Sequence, residues 1–268
     1  MIFIIRNIIL GIIQGITEFL PVSSSAHLIL VPFLFGWKES SMAFDIALHF
    51  GTFLAVLVVF FKDWWNLFVG AVNKFFYKKE SNDNKIFWYL VIATVPGALI
   101  GAKLDDVIEK VFRTELWLIA SLLAIMGVLI YLGDRWASLH YKLETDFENI
   151  SLMQAFLIGM SQAFAIIPGF SRSGTTILTA RLMGLSKEAS TKFTFLLSVP
   201  IILGATVLEI GNLEFTMEAL FGILTSFLIG LFSIKFLLNY IKKHDFSIFS
   251  IYRVIFAIIV LVKYFIFL

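Results

Sequence analysis

In the stretch GIIQGITEFLPVSSSAH, Gln14 and Glu18 lie four residues apart, and Ser23, Ser24, Ser25 and His27 follow closely. On a helix that spacing puts the amide and the carboxylate on one face. Both offer oxygen, the donor that a hard cation such as Mg²⁺ or Ca²⁺ takes. The pair therefore reads as a metal site or, at Glu18 alone, as a base; the structural alternative is a carboxylate neutralised by Arg172. One serine is expected to cap the helix that resumes after Pro21, and three exceed what a cap needs. His27 falls in the first turn of that helix, where a histidine beside a serine hydroxyl forms a base and nucleophile arrangement. A satisfied core histidine is the plainer alternative.

A second stretch, PGFSRSGTT at 168–176, has complementary chemistry. Ser171 or Ser173 can cap an outgoing helix, and Gly169 and Gly174 permit close backbone approach. Free N–H groups at a helix N-terminus bind anions. Arg172 adds a bidentate fork for phosphate, with hydroxyls at Thr175 and Thr176. An oxyanion cradle facing an acid, a nucleophile candidate and a cation site points to phosphoryl transfer or hydrolysis. Asp45 and His49, one turn apart, either line the mouth of such a site or sit solvated at an interface. His140 and His244 carry no such signal, and Ser198 with Pro200 marks an expected kink.

These groups sit in an oily chain. Of 268 residues, 59% are hydrophobic and only 15% charged, with a mean hydropathy of +0.92. Soluble domains run at about 45–50% apolar and about 25% charged. An ionisable group at bilayer depth costs roughly 2.5–3.5 kcal/mol on insertion scales, so it needs a reason to be there. The absence of cysteine excludes disulfides, thiolate metal sites and a cysteine nucleophile. The N-terminal MIFIIRNIILGIIQG lacks a basic region ahead of its apolar run and a small-residue cleavage site, and is expected to be uncleaved.

The fold class expected is an all-α polytopic membrane protein. Apolar runs at 44–61, 86–102, 116–133, 193–210, 218–240 and 248–267 predict six crossings. Two further apolar stretches, 8–35 and 152–183, are broken at Pro21 and at Pro168-Gly169. Proline ends a helix and disfavours helix before it, so each predicts a re-entrant hairpin. Irregular backbone is tolerated at membrane depth only where protein or a wet cavity surrounds it. Aligned on proline, Ser24 matches Ser171, and Gln14 lies near Gln162 with a one-residue gap. Each hairpin is followed by three crossings, which predicts an inverted-topology repeat. One integral domain, 1–268, is expected, with copies at about 1–133 and 150–268.

Lys and Arg are concentrated on one set of loops, including the basic loop 62–85, and are sparser on the other, at Arg6, Lys38, Lys103, Lys110, Arg113 and Lys263. The positive-inside rule makes the first set cytoplasmic, so the first hairpin opens outward and the two tips meet near the midplane. The outer loop 103–115 reads as amphipathic and interfacial.

EFLPVSSSAH with Gln14 ahead of it, PGFSRSGTT, FDIALHFGT at 44–52 and FTFLLSVP at 193–200 together resemble the undecaprenyl-diphosphate phosphatase family of bacteria, of the bacitracin-resistance type. The resemblance covers essentially the whole chain. It implies hydrolysis of undecaprenyl diphosphate to the monophosphate and inorganic phosphate, recycling the lipid carrier of cell-wall synthesis, at a site facing the outside of the bacterial inner membrane. Carried over by motif, Gln14 and Glu18 fill the metal and catalytic element. Ser24 and His27 fill the serine and histidine positions. Arg172 fills the phosphate-binding arginine, with Ser171, Ser173 and Thr176 beside it. Position 14 is Gln where many members have Glu, so a base role falls to Glu18. A divalent cation, Mg²⁺ or Ca²⁺, is the expected cofactor. The expected partners are a long-chain prenyl diphosphate, membrane lipid and a second copy in a homodimer, with no nucleic acid. A transporter or lipid flippase is the rival from another class. An acid-phosphatase-like lipid phosphatase would need a histidine after Arg172, and an intramembrane serine protease would leave Arg172 and Glu18 without a role.

Overall fold

The computed structural model describes residues 2–209 and 216–267. Helices account for the architecture: α1 (Ile2–Thr17), α2 (Ser24–Phe35), α3 (Met42–Val59), α4 (Phe61–Tyr77), α5 (Asn82–Phe112), α6 (Leu116–His140), α7 (Leu152–Ser161), α8 (Arg172–Leu182), α9 (Lys187–Glu209), α10 (Met217–Tyr240) and α11 (Ser247–Phe267). A 3₁₀ segment, Gln162–Ile166, extends α7 towards the second break. Six of these helices, α3, α5, α6, α9, α10 and α11, are long and apolar enough to cross a membrane. They overlap the six apolar runs: α5, α6 and α9 reach a turn or more beyond theirs at one end or both, α10 and α11 start within a residue of theirs, and α3 stops at Val59, with α4 beginning at Phe61.

The two broken stretches each form helix, turn, helix. Neither arm is long enough to cross by itself: α1 has 16 residues and α2 has 12, against roughly 17–25 for a span. The helices pack in pairs that exchange when one half of the chain is swapped for the other. The packing of α1 on α10 has its counterpart in α7 on α5. Likewise α3 on α10 answers α9 on α5, and α6 on α8 answers α11 on α2, while α3 meets α9 and α6 meets α11 directly. The main core lies where these pairs converge. Phe19 and Val22 of the first turn are buried among Phe53, Val56, Phe193 and Phe195, with the Phe19 and Phe195 rings edge to face at 5.4 Å.

Two expectations need correction. The basic stretch 62–85 is not simply a loop, because most of it is α4. Its apolar residues Phe61, Trp65, Phe68 and Val69 recur at helical spacing and stay exposed, while Leu67, Gly70 and Ala71 pack inward. Lysines at 62 and 74 keep it from reading as a span, and its amphipathic period goes unseen when only long apolar runs are sought. The stretch 103–115 is likewise mostly helical, since α5 runs on to Phe112. Its expected amphipathic face rests on side chains at 105–110, which lie outside those described.

Candidate active site

The two breaks are built alike. α2 and α8 each start after a serine with positive φ, Ser23 at 76° and Ser171 at 74°. L residues avoid this region unless their surroundings hold them there. In the first turn, the Ser23 carbonyl accepts from the His27 backbone N–H at 3.2 Å and lies 2.7 Å from His27 Nδ1. In the second, the Ser171 carbonyl accepts from the Thr175 N–H at 2.9 Å and from Thr175 Oγ1 at 2.7 Å. Ser23 pairs with Ser25 at 3.4 Å, and Ser171 with Ser173 at 3.2 Å. The structural register therefore equates Ser23 with Ser171 and Ser24 with Arg172. Alignment on proline is off by one, because Pro21 corresponds to Gly169, whose φ of 103° makes the second turn. In the corrected register Gln14 matches Gln162 with no gap.

Equivalence ends at the carboxylate. Glu18 corresponds to Ile166, so only the first half carries an acid, and the first residues of both half-helices meet on it. Ser24 Oγ donates to Glu18 Oε2 at 2.6 Å, and Arg172 Nη2 pairs with Glu18 Oε1. Gln14 Nε2 also donates to Oε2, at 3.1 Å, and reaches Thr52 Oγ1 at 3.4 Å. His49 Nε2 stands 3.4 Å from the same oxygen. Arg172 Nη1 donates to the Ser198 carbonyl at 3.3 Å. That carbonyl lies in α9, two residues before Pro200. Glu18 itself is buried. Ser24 and Arg172 are only partly covered.

A cavity borders the site at His49. Of about 200 Å³, it is bounded by Ser25, His49, Asp45 and Arg113 on its polar side and by Ile166 and Pro168 of the second turn. The donor set near it suits a hard cation. Gln14 Oε1 is buried and accepts no hydrogen bond, while Nε2 of the same amide faces the Glu18 carboxylate. No group of three or more His, Cys, Asp or Glu side chains able to hold a metal occurs among the described residues. A cation here would complete its shell with phosphate and water, as Mg²⁺ commonly does.

Comparison with known proteins places this chain in a family. The family model described as bacitracin resistance protein BacA matches residues 7–259. The chain belongs to the BacA family. Proteins named undecaprenyl-diphosphatase are similar to it along nearly the whole length. The protein from Caldicellulosiruptor bescii is 46% identical over 265 residues, 97% of each chain. That from Desulforudis audaxviator is 45% identical over 260 residues, 96% of each. That from Geobacter metallireducens is 40% identical over 254 residues, 92% of this chain and 93% of the other.

In this BacA-family chain the expected site residues separate by what they touch. Gln14, Glu18, Ser24 and Arg172 come together. His27 does not join them. Its ring nitrogens lie 2.7 Å from the Ser23 carbonyl and 2.8 Å from the Tyr252 hydroxyl, and its ring stacks on Phe256 at 4.5 Å. It buttresses the first turn instead of pairing with Ser24, because both of its ring nitrogens are engaged by the Ser23 carbonyl and the Tyr252 hydroxyl. Ser171, Ser173 and Thr176 are buried and engaged internally. Ser171 Oγ caps the Gly174 N–H at 3.1 Å, Ser173 donates to the Leu20 carbonyl at 3.3 Å, and Thr176 donates to the Arg172 carbonyl at 2.8 Å. They shape the turn that presents Arg172. Ser23 makes no such cap for α2, so the N–H groups opening α2 keep no side-chain acceptor. His49 gains weight. Its spacing from Asp45 marked it, but only the fold could bring α3 against Glu18. Thr52 had no signal beyond lying one turn further along.

Proposed function

We propose that this BacA-family protein hydrolyses undecaprenyl diphosphate to undecaprenyl phosphate and inorganic phosphate. The observation that carries the reading is the shared carboxylate: a serine hydroxyl on one oxygen of Glu18 and an arginine on the other, at opposed helix N-termini. Glu18 Oε2 takes the Ser24 proton as Ser24 Oγ attacks the terminal phosphorus. The bond from that phosphorus to the bridging oxygen breaks, and undecaprenyl phosphate leaves. Undecaprenyl phosphate carries off the proton that Glu18 took, so the freed carboxylate deprotonates a water that attacks the phosphoserine, and Glu18 returns this proton to Ser24 Oγ as phosphate leaves. Arg172 and the uncapped N–H groups of α2 stabilise the charge on the terminal phosphoryl oxygens. Gln14 and Glu18 would hold a divalent cation, which would supply further neutralisation of the diphosphate.

The same reading makes the paired turns re-entrant tips of an inverted repeat in the bacterial inner membrane. The exchange symmetry of the packing and the short arms α1 and α2 support this. The bias of Lys and Arg supports a cavity opening to the outer face. The prenyl chain then stays in lipid while the head group enters the cavity past Asp45, His49 and Arg113. Substrate labelled in its terminal phosphate tests the serine step. Label trapped on wild type and absent from Ser24→Ala, with turnover lost, is expected. Full turnover in Ser24→Ala would replace the serine by a water that Glu18 activates.

A further inference from the structure

Arg253 lies within α11, in an apolar run, and is fully buried. It has no acidic partner within ion-pair distance among the described residues, and its donors all go to backbone carbonyls. Nη1 donates to Pro21 O at 3.0 Å. Nη2 donates to Gly169 O at 2.5 Å and Phe170 O at 3.3 Å. Nε donates to Leu123 O of α6 at 3.0 Å. One guanidinium thus grips both breaks, at Pro21 and Gly169, two residues that correspond in the repeat. Both turns are also where the backbone is strained, at Ser23 and Ser171. Small residues make the room. A Cβ on Gly127 would come within 3.0 Å of Arg253 Cβ, and one on Gly174 within 3.2 Å of Arg253 Nη1.

A buried charge is tolerated only when its surroundings solvate it. Here the solvating dipoles belong to the two segments that must meet for Ser24 and Arg172 to share Glu18. Lysine could not do the same, because its compact ammonium lacks the planar fork that spans separate carbonyls. We propose that Arg253 is a positioning residue of the reaction: it clamps the two opposed turns in register so that Ser24 and Arg172 converge on Glu18. This rests on the phosphatase reading for its kinetic effect, but the clamp can be observed without turnover.

A misplacement of about 1 Å at a reacting centre can cost on the order of 10²-fold in rate. Arg253→Lys, which keeps charge and much of the volume, and Arg253→Ala are compared with wild type in detergent. The expected result is a fall in kcat of about 10²-fold per folded molecule, with KM changed far less. Guanidinium ion added to Arg253→Ala is expected to restore part of the rate. A merely structural arginine would lower the melting temperature and the folded fraction while leaving kcat per folded molecule intact. The chain has no cysteine, so spin labels can be placed through Phe35→Cys on α2 and Leu182→Cys on α8. A narrow distance distribution in the arginine background that broadens in Arg253→Lys is expected whether or not turnover is measured. Wild-type kcat and an unchanged narrow distribution in Arg253→Lys would overturn the clamp. If wild type releases no phosphate but the distribution still broadens, the phosphatase reading fails and the clamp stands. If Arg253→Ala does not fold, the lysine variant decides.

Discussion

Removing the charge of Glu18 while keeping its shape, by Glu18→Gln, should separate its two roles. Glu18 accepts from Ser24 and Gln14 and pairs with Arg172. The pair is well covered, with side-chain exposures of 5% for Glu18 and 17% for Arg172. Without the carboxylate charge, Arg172 keeps the Ser198 carbonyl at 3.3 Å and no counter-charge. Breaking a buried pair from one side costs about 3–5 kcal/mol. For a chain of this size that is roughly 6–20 °C in melting temperature. The lower end is expected, since Arg172 is partly exposed. Arg172→Met should cost a similar amount by stranding the acid. The double variant removes both charges, so its loss should fall short of the sum by about 1–3 kcal/mol. Activity should behave otherwise. Loss of the base alone lowers turnover by about 10²–10⁴-fold, and the double variant should be no better. Melting of the purified protein in detergent, with phosphate release on the same samples, reads both. Additive melting losses would show that the two side chains do not stabilise one another. Activity regained in the double variant would show that the carboxylate is not part of the chemistry.

Three further outcomes are expected. Gln14→Leu should raise the Mg²⁺ or Ca²⁺ concentration needed for half-maximal activity at least several-fold, whereas Gln14→Glu, which keeps an oxygen there, should not; metal titration after chelation checks both. Gly169→Ala should destabilise the second turn by about 1–2 kcal/mol from the left-handed backbone alone, and more because its Cβ would come 2.7 Å from the Ile119 carbonyl, measured as a drop in melting temperature. His27→Ala should lose melting temperature together with activity, since it gives up ring stacking and the Ser23 and Tyr252 contacts, while Ser24→Ala should lose activity with little change in melting.

The fold was legible where physics acts locally. Long apolar runs must cross, and a proline followed by serines must break a helix, so six spans and two interrupted helices could be read from residue order. α4 was harder to read, because an amphipathic helix of 17 residues leaves its signal in periodicity, not in total hydropathy. At the site, Gln14 and Glu18 announced themselves by helical spacing, and Arg172 by its position in an apolar stretch. The register of the repeat depended on backbone torsion at Ser23 and Ser171, which no proline alignment reveals. The separation of Ser24 from His27 depended on which way the first turn of α2 faces. His49 and Thr52 reach the site only through the packing of α3 on α1. Arg253 did leave a signal, an arginine inside a span, as costly there as Arg172; its partners, being carbonyls, leave none.

Phosphate release from undecaprenyl diphosphate by the purified full chain in detergent, with Mg²⁺ or Ca²⁺ and with chelator, bears most directly on the phosphatase reading. Cation-dependent release by wild type that disappears in both Glu18→Ala and Arg172→Ala is expected from a site where one carboxylate gathers serine and arginine. No release by well-folded wild type with either cation, or full release by the Glu18→Ala variant, would contradict it.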